Sequence, residues 1–333
     1  MSLVSSVLVT GGVGFVGSHF VRAAAESGRR VVILDDLSGM GLHHTDTTPQ
    51  LPLPEGASFV RGDIADVALV RRLCREHAVE SVVHFAGKIQ VGESVRKPEL
   101  YFDCNLTRSL RLLDTVREAG IRNLVFSSTA AVYGEPREVP IPESAPTVPV
   151  NPYGCSKLAF EWILNSYAVA HGLRFAALRY FNASGAHPDG TLSERHDPET
   201  HLIPLVIDAA RGRRPPLTLF GTDYPTPDGT CVRDYIHVCD LASAHLLALE
   251  QLARGELLGP LNLGTGRGYS VRQVLEAAQD VLETPIPHSV GPRRDGDPPA
   301  LVADSSAAQA RLGWQPQRSD LRTLIEDAVR SRW

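Results

Sequence analysis

The chain has 333 residues and a mass of 36.1 kDa, with 43% hydrophobic residues, 21% charged residues and a net charge of -5. That length allows a large buried core and two lobes, and a chain with no basic surplus is not expected to have nucleic acid as its main partner. Five cysteines (74, 104, 155, 231, 239) are odd in number and form no Cys-x-x-Cys, no apolar run approaches ~18 residues, and Met1 to Val9 shows no basic n-region. A cytoplasmic protein with reduced thiols and no membrane partner is expected.

Val7-Leu8-Val9 reads as a strand running into Thr10-Gly11-Gly12-Val13-Gly14-Phe15-Val16-Gly17, followed by a helix to about Ser27 that Gly28 stops. Glycines 11, 14 and 17 serve different needs: a tight turn, close backbone approach to a pyrophosphate at a helix N-terminus, and packing of that helix on the sheet. A second strand, Val31 to Leu34, ends in Asp35-Asp36, and Asp35 lies 18 residues beyond Gly17. A carboxylate there accepts from both adenosine ribose hydroxyls and repels a 2′-phosphate, so NAD is expected rather than NADP. Phe59 to Ile64 ends a third strand, with Asp63 placed for the adenine amino group and the Ile64 backbone for a ring nitrogen. Val82 to Lys88 is a fourth strand entering a loop, where Lys88 is positioned to reach cofactor phosphate or ribose and Phe85, Ala86 and Gly87 would border the cofactor.

Residues 99 to 119 read as a helix, Leu124 to Thr129 as a fifth strand and Phe175 to Leu178 as a sixth. Ligands of such an open parallel sheet sit at the carboxyl ends of its strands, and Thr129 is at one of them. Asn151 and Pro152 then suit the N-cap and first position of a helix, which puts Tyr153 and Lys157 on one face. An ammonium beside a phenol favours phenolate, giving a general base usable near neutrality. The chain has 30 Arg but only three Lys, at 88, 97 and 157. Beyond Asn182, segments 183 to 200 and 212 to 230 are rich in Pro, Gly and Asp and read as loops of a smaller lobe. Val232 to Val238 reads as a strand, 239 to 252 as a helix, Leu261 to Gly268 as strand and turn, and Ser270-x-x-Gln273 as a capping box opening a helix to about Leu282. Arg233, Arg293 and Arg294 offer forks for diphosphate oxygens. The histidines are scattered without metal spacing, so no metal is expected, and His43-His44 is read as a solvent-facing pair.

These stretches resemble the extended short-chain dehydrogenase/reductase family, and within it the UDP-glucose (UDP-galactose) 4-epimerases. The resemblance runs from Val7 to about Trp314 through VVHFAGKIQVGESV (82–95), FSSTAAVYG (126–134), LRYFNASGAHP (178–188), YPTPDGTCVRDYIHV (224–238) and LNLGTG (261–266). It implies an α/β fold with a Rossmann-type doubly wound parallel sheet and a smaller C-terminal α/β substrate lobe. The division would be residues 1–182 for NAD, joined again by about 232–254, and 183–333 for the UDP-sugar. It implies tightly bound NAD and interconversion of UDP-galactose and UDP-glucose by C4 oxidation, rotation of a 4-keto sugar and re-reduction. Tyr153 would be the base, Lys157 its electrostatic partner and Thr129 the hydroxyl at the sugar 4′-OH. Phe181 would face the nicotinamide, Asn182 the diphosphate, and His201, Leu202, Phe220, Arg233, Arg294 and Asp297 the nucleotide, with Leu301 beside the sugar 2′ substituent. Ile89 stands where the family has a cofactor-binding Lys, Cys104 where an Asn is common (Asn105 is next to it), and His201 where an Asn contacts the nucleotide. A dehydratase would carry Asp-Glu after Thr129, where this chain has Ala130-Ala131; a related decarboxylase or epimerase and a non-catalytic cofactor sensor are the other readings. A homodimer pairing helices around 94–119 and 153–171 is also implied.

Overall fold

The computed structural model describes residues 5–39, 53–196, 198–294 and 297–331; the His43-His44 pair lies outside them. The first half alternates strand and helix: β1 (Ser6–Thr10), α1 (Phe15–Glu26), β2 (Arg30–Asp35), β3 (Ala57–Arg61), α2 (Val67–Glu76), β4 (Ser81–His84), α3 (Val91–Arg96), α4 (Pro98–Phe102), α5 (Arg108–Glu118), β5 (Asn123–Thr129), α6 (Pro152–His171) and β6 (Arg174–Tyr180). Then come β7 (Asn182–Ser184), α7 (Leu202–Ala210), β8 (Leu217–Phe220), β9 (Val232–Arg233), β10 (Tyr235–His237), α8 (Val238–Ala253), β11 (Gly259–Leu263), β12 (Tyr269–Ser270), α9 (Val271–Leu282), β13 (His288–Gly291), β14 (Ala300–Leu301), α10 (Ser306–Leu312) and α11 (Leu321–Ser331).

Seven strands form one parallel sheet in the order β11-β6-β5-β4-β1-β2-β3. Side chains alternate across it with the two-residue period of a strand. Val7, Val9, Val31, Ile33, Val83 and Val125 face a core closed by α1 and α8, while Leu8, Val32, Leu34, Val82, Leu124 and Phe126 face one closed by α2, α5 and α6. Both faces are covered, which is why these strands read as continuous apolar runs. The strand order reverses between β1 and β4, and the crevice outside their carboxyl ends is where such a sheet binds ligands.

The return of the chain to this sheet extends beyond residues 232–254. β11 is the edge strand beside β6, and Ala308, Leu312 and Trp314 join the α1/α8 core. A separate core of Ile203, Val206, Leu217, Leu219, Val274, Leu275, Leu324 and Ile325 holds the smaller lobe together. The helix expected over 99–119 is in three parts, because a π turn at Asp103–Thr107 separates α4 from α5. No helix of the described residues is long and apolar enough to cross a membrane.

Candidate active site

At the crevice the amides of Phe85 and Ala86 donate to the Thr10 carbonyl at 2.9 and 3.1 Å, which draws the loop after β4 against the glycine turn. Gly11 has φ of 70°, and a Cβ there would lie 2.5 Å from the Ala86 nitrogen; one on Gly17 would lie 2.2 Å from the Gly11 carbonyl oxygen. No side chain fits at either position, so bare backbone is presented at the start of α1, whose N-cap is Gly14 and whose first turn carries no acid. That positive end suits a pyrophosphate. Asp35 accepts from the Leu37 amide at 2.9 Å and the Val13 amide at 3.3 Å, so its carboxylate reaches back over the turn, and burial pushes it up to about 6. Asp36 caps the Ser38 amide at 2.8 Å in an exposed position. Asp63 accepts from the Ala65 amide at 2.8 Å and pairs with Arg108 at 2.7 Å, a partner the sequence reading did not foresee. Ile64 is buried behind it. A bare turn, a helix N-terminus and a carboxylate at the end of β2 together fit NAD.

The π turn has a consequence for the neighbouring loop. It points Asn105 inward, where Oδ1 accepts from the Lys88 amide at 2.7 Å and Nδ2 donates to the Lys88 carbonyl at 3.0 Å and to Ser156 Oγ at 3.1 Å. Of the neighbours Cys104 and Asn105, then, it is Asn105 that ties the loop after β4 to α6. The Cys104 thiol is half-buried and pushed up by that burial. A Cβ on Gly87 would meet Asn105 Oδ1 at 2.9 Å. Lys88 is half-buried at the rim, while Ile89 is exposed beside it.

α6 begins as its sequence dictates: the Asn151 side chain accepts from the Gly154 amide at 2.8 Å and Pro152 takes the first position. Lys157, one turn beyond Tyr153, is buried; its Nζ donates to the Ser127 carbonyl at 2.9 Å and lies 4.8 Å from the centre of the Phe126 ring. Burial pushes this ammonium down to about 8. Burial also pushes the Tyr153 phenol up, and a hydrogen bond from Thr129 offsets only part of that. Thr129 accepts the Ala131 amide at 3.1 Å, and the Tyr153 ring stands edge-on to Tyr101 at 6.4 Å. The expected sign is therefore corrected for the chain by itself. Desolvation governs both groups, and the phenol is raised rather than lowered towards neutrality.

On the smaller lobe, Arg233 pairs with Asp297 at 2.6 Å and the Arg294 guanidinium lies 4.1 Å from the centre of the Phe220 ring. Arg293 turns away to Asp223 at 2.8 Å. Leu301 is paired with Arg233 in the β14–β9 register and packs, as Phe181 does, against the buried cluster of Ala130, Val132, Tyr133, Ile141 and Leu158. Asn182 starts β7, its amide donating to the Asp234 carbonyl at 2.9 Å.

A family model described as the NAD dependent epimerase/dehydratase family matches residues 7–264. The chain belongs to that family. It is 51% identical over 322 residues to a UDP-glucose 4-epimerase of Streptomyces lividans, covering 96% of this chain and 94% of that protein. A crystal structure of a Brucella ovis UDP-glucose 4-epimerase in complex with NAD is similar, with a TM-score of 0.90, 46% identity and coverage of 98% and 97% of the two chains. So is a Bifidobacterium longum UDP-glucose 4-epimerase in complex with NAD+ and UDP, with a TM-score of 0.88, 38% identity and coverage of 98% of both chains.

Two features of this epimerase/dehydratase family member escaped the sequence reading. Beneath Thr129, Glu161 and Arg179 form a buried ion pair at 2.6 Å; Ser128 donates to Glu161, and Arg179 donates at 2.8 Å to the Tyr133 hydroxyl, which donates to Asn262 at 2.7 Å. Glu161 lies four residues beyond Lys157 on the buried side of α6, and an acid in that stripe was the available signal. The second feature corrects the view that the histidines stand apart. His196 and His201 converge with Glu194 and Glu199, with ring centroids 5.1 Å apart. His201 is held by Glu194 at 2.7 Å and Glu199 at 3.0 Å, so its Nδ1 edge faces its own loop, whereas Leu202 opens α7.

Proposed function

We propose that the chain interconverts UDP-glucose and UDP-galactose by NAD-dependent epimerisation at C4. The observation that carries the reading is Tyr153 hydrogen-bonded to Thr129 at the carboxyl end of β5, one helical turn from buried Lys157, beside a glycine turn that admits only bare backbone. Gly11, Gly12, Gly14, Phe15, Val16 and Gly17 hold the pyrophosphate, Asp35 and Asp36 the adenosine ribose, and Asp63 and Ile64 the adenine. Phe85, Ala86, Gly87, Lys88, Cys104, Asn105, Lys157 and Phe181 complete that side. NAD, when bound, takes up the C4 hydride and gives it back, so the cycle has no net redox change.

The remaining chemistry belongs to side chains. Tyr153 accepts the 4′-hydroxyl proton and later returns it, Thr129 orients that hydroxyl and offsets part of the burial that raises the phenol, and the Lys157 charge one turn away opposes that burial further once the site is filled. The sugar must turn between the two half-reactions, so the nucleotide has to be held strongly meanwhile. Arg233, Arg294 and Asn182 hold the diphosphate, with Asp297, Phe220, Leu202 and His201 around the nucleotide. Residues 1–182 and the returning segment act as the NAD domain, and the rest of 183–333 as the UDP-sugar lobe. The chain pairs with a second copy through α6, where Trp162, Asn165, Ser166 and Val169 recur at helical spacing on an exposed face and Val95 and Phe102 are exposed on α3 and α4 alongside. Five free cysteines suit a reducing compartment, and the cytoplasm is the proposed location.

The test is turnover of UDP-galactose by purified protein with no added cofactor, followed by denaturation and assay of the released nicotinamide. Conversion to UDP-glucose with stoichiometric NAD supports the reading. Absence of turnover, or NADP in place of NAD, overturns it.

A further inference from the structure

We propose that Glu194, His196, Glu199 and His201 form a binding site for a divalent cation of the zinc class, in the loop that enters α7. One donor atom from each of the four lies within 4.8 Å of all the others. Neighbouring donors are 2.7 Å apart for Glu194 and His201, 3.0 Å for Glu199 and His201, and 3.1 Å for Glu194 and His196. Tetrahedral zinc with bonds of about 2.0–2.1 Å sets its donors roughly 3.3 Å apart, so these pairs would open by about 0.2–0.6 Å while the wider pairs, up to 4.8 Å, would close.

The donor chemistry selects the metal. Two imidazoles with two carboxylates suit zinc and its transition-metal neighbours, whereas magnesium and calcium take oxygen donors. A cation here takes the place of the proton that Glu194 and Glu199 hold on His201, and the two carboxylates meet its charge. They are also enclosed: the side chains of Glu194 and Glu199 are 5% and 11% exposed, while His201, at 36%, leaves a way in. All four donors come from the eight residues 194–201, so the site closes within one loop. His201 is the N-cap of α7, and a cation there would fix how the loop enters that helix. This role is structural, and it does not depend on the reaction assigned to Tyr153.

The experiment uses the untagged full-length protein with its cofactor, freed of metal by a chelator and titrated calorimetrically with zinc chloride. We expect one zinc per chain with micromolar or tighter affinity, weakened at least about tenfold by His196→Gln and by His201→Gln taken separately. Zinc should raise the Tm of the wild type and not of the variants, since a ligand stabilises only the fold that binds it. Cobalt(II) should give the visible absorption of a four-coordinate nitrogen and oxygen site, lost in the same variants. His187→Gln, at a histidine paired with Asp189 outside the cluster, should bind zinc as the wild type does. No saturable one-to-one binding by the wild type would overturn the proposal, as would binding that survives both cluster substitutions or is equally lost in His187→Gln.

Discussion

Lys157→Met should separate stability from activity. The wild-type ammonium is 2% exposed and burial pushes its pKa from 10.5 down to about 8. At about 1.4 kcal/mol per pKa unit, holding that charge costs the fold on the order of 3 kcal/mol at pH 7. Methionine removes the cost but gives up the charged hydrogen bond to the Ser127 carbonyl, worth about 1.5–3 kcal/mol. The variant should therefore match or exceed wild-type stability by roughly 0–2 kcal/mol at pH 7, while turnover falls about 10²–10⁴-fold. A folded-state pKa below the unfolded one means that the unfolded chain binds more protons between pH 8 and 10.5. Wild-type stability rises across that window and the advantage of the variant shrinks. Urea melts of both chains at matched nicotinamide content, at pH 7 and at pH 10, measure this. A Met variant destabilised by several kcal/mol to the same extent at both pH values would refute the reasoning and make Lys157 a packing residue.

What could be read from the sequence followed physical locality. The parallel sheet was legible because its strands are covered on both faces and punctuated by glycines, and the start of α6 was legible because Asn151 and Pro152 each carry a local preference. The π turn at Asp103–Thr107 was not, since it follows from where α6 and the loop after β4 meet Asn105. Likewise the strand expected over 232–238 is split at Asp234, whose buried carboxylate accepts from the Thr265 amide and hydroxyl and from the Gly266 and Ala303 amides. No local pattern announces partners that far away. The Glu161–Arg179 pair joins a helix to a strand across the same kind of distance. The Glu194–His201 loop is different: its spacing was in plain view, but it matches neither helix nor strand period, and only the folded loop brings the four side chains together.

Tyr153→Phe should keep the fold and the nicotinamide content while losing about 10²–10⁴-fold in turnover, read by progress curves on UDP-galactose; a rate near wild type would remove Tyr153 as the base. Asp35→Asn should relax the preference for NAD over NADP. In wild type, NAD affinity should fall as pH drops through about 6, where the carboxylate is protonated, and the Asn variant should lose that dependence. Glu161→Gln should cost about 3–5 kcal/mol in urea melts, because it leaves Arg179 buried without its anionic partner. The last prediction concerns Leu301, half-buried, paired with Arg233 in the sheet register and packed against the cluster that Phe181 also joins. On the assignment of Leu301 to the sugar 2′ substituent, its branched end would fill part of that space and would offer no hydroxyl to an acetamide. A mismatch of one or two methylenes is worth about 1–3 kcal/mol, so wild type should turn over UDP-galactose and UDP-glucose well and UDP-N-acetylgalactosamine slowly. Leu301→Tyr adds bulk to that space and should suppress only the N-acetylated sugar. The comparison is kcat/KM on both sugars in both chains. Because Leu301 also packs against the buried cluster that includes Ala130 and Leu158, a substitution that merely disturbed packing would lower both values together, and an equal loss on the two sugars would assign Leu301 to the core and not to selectivity.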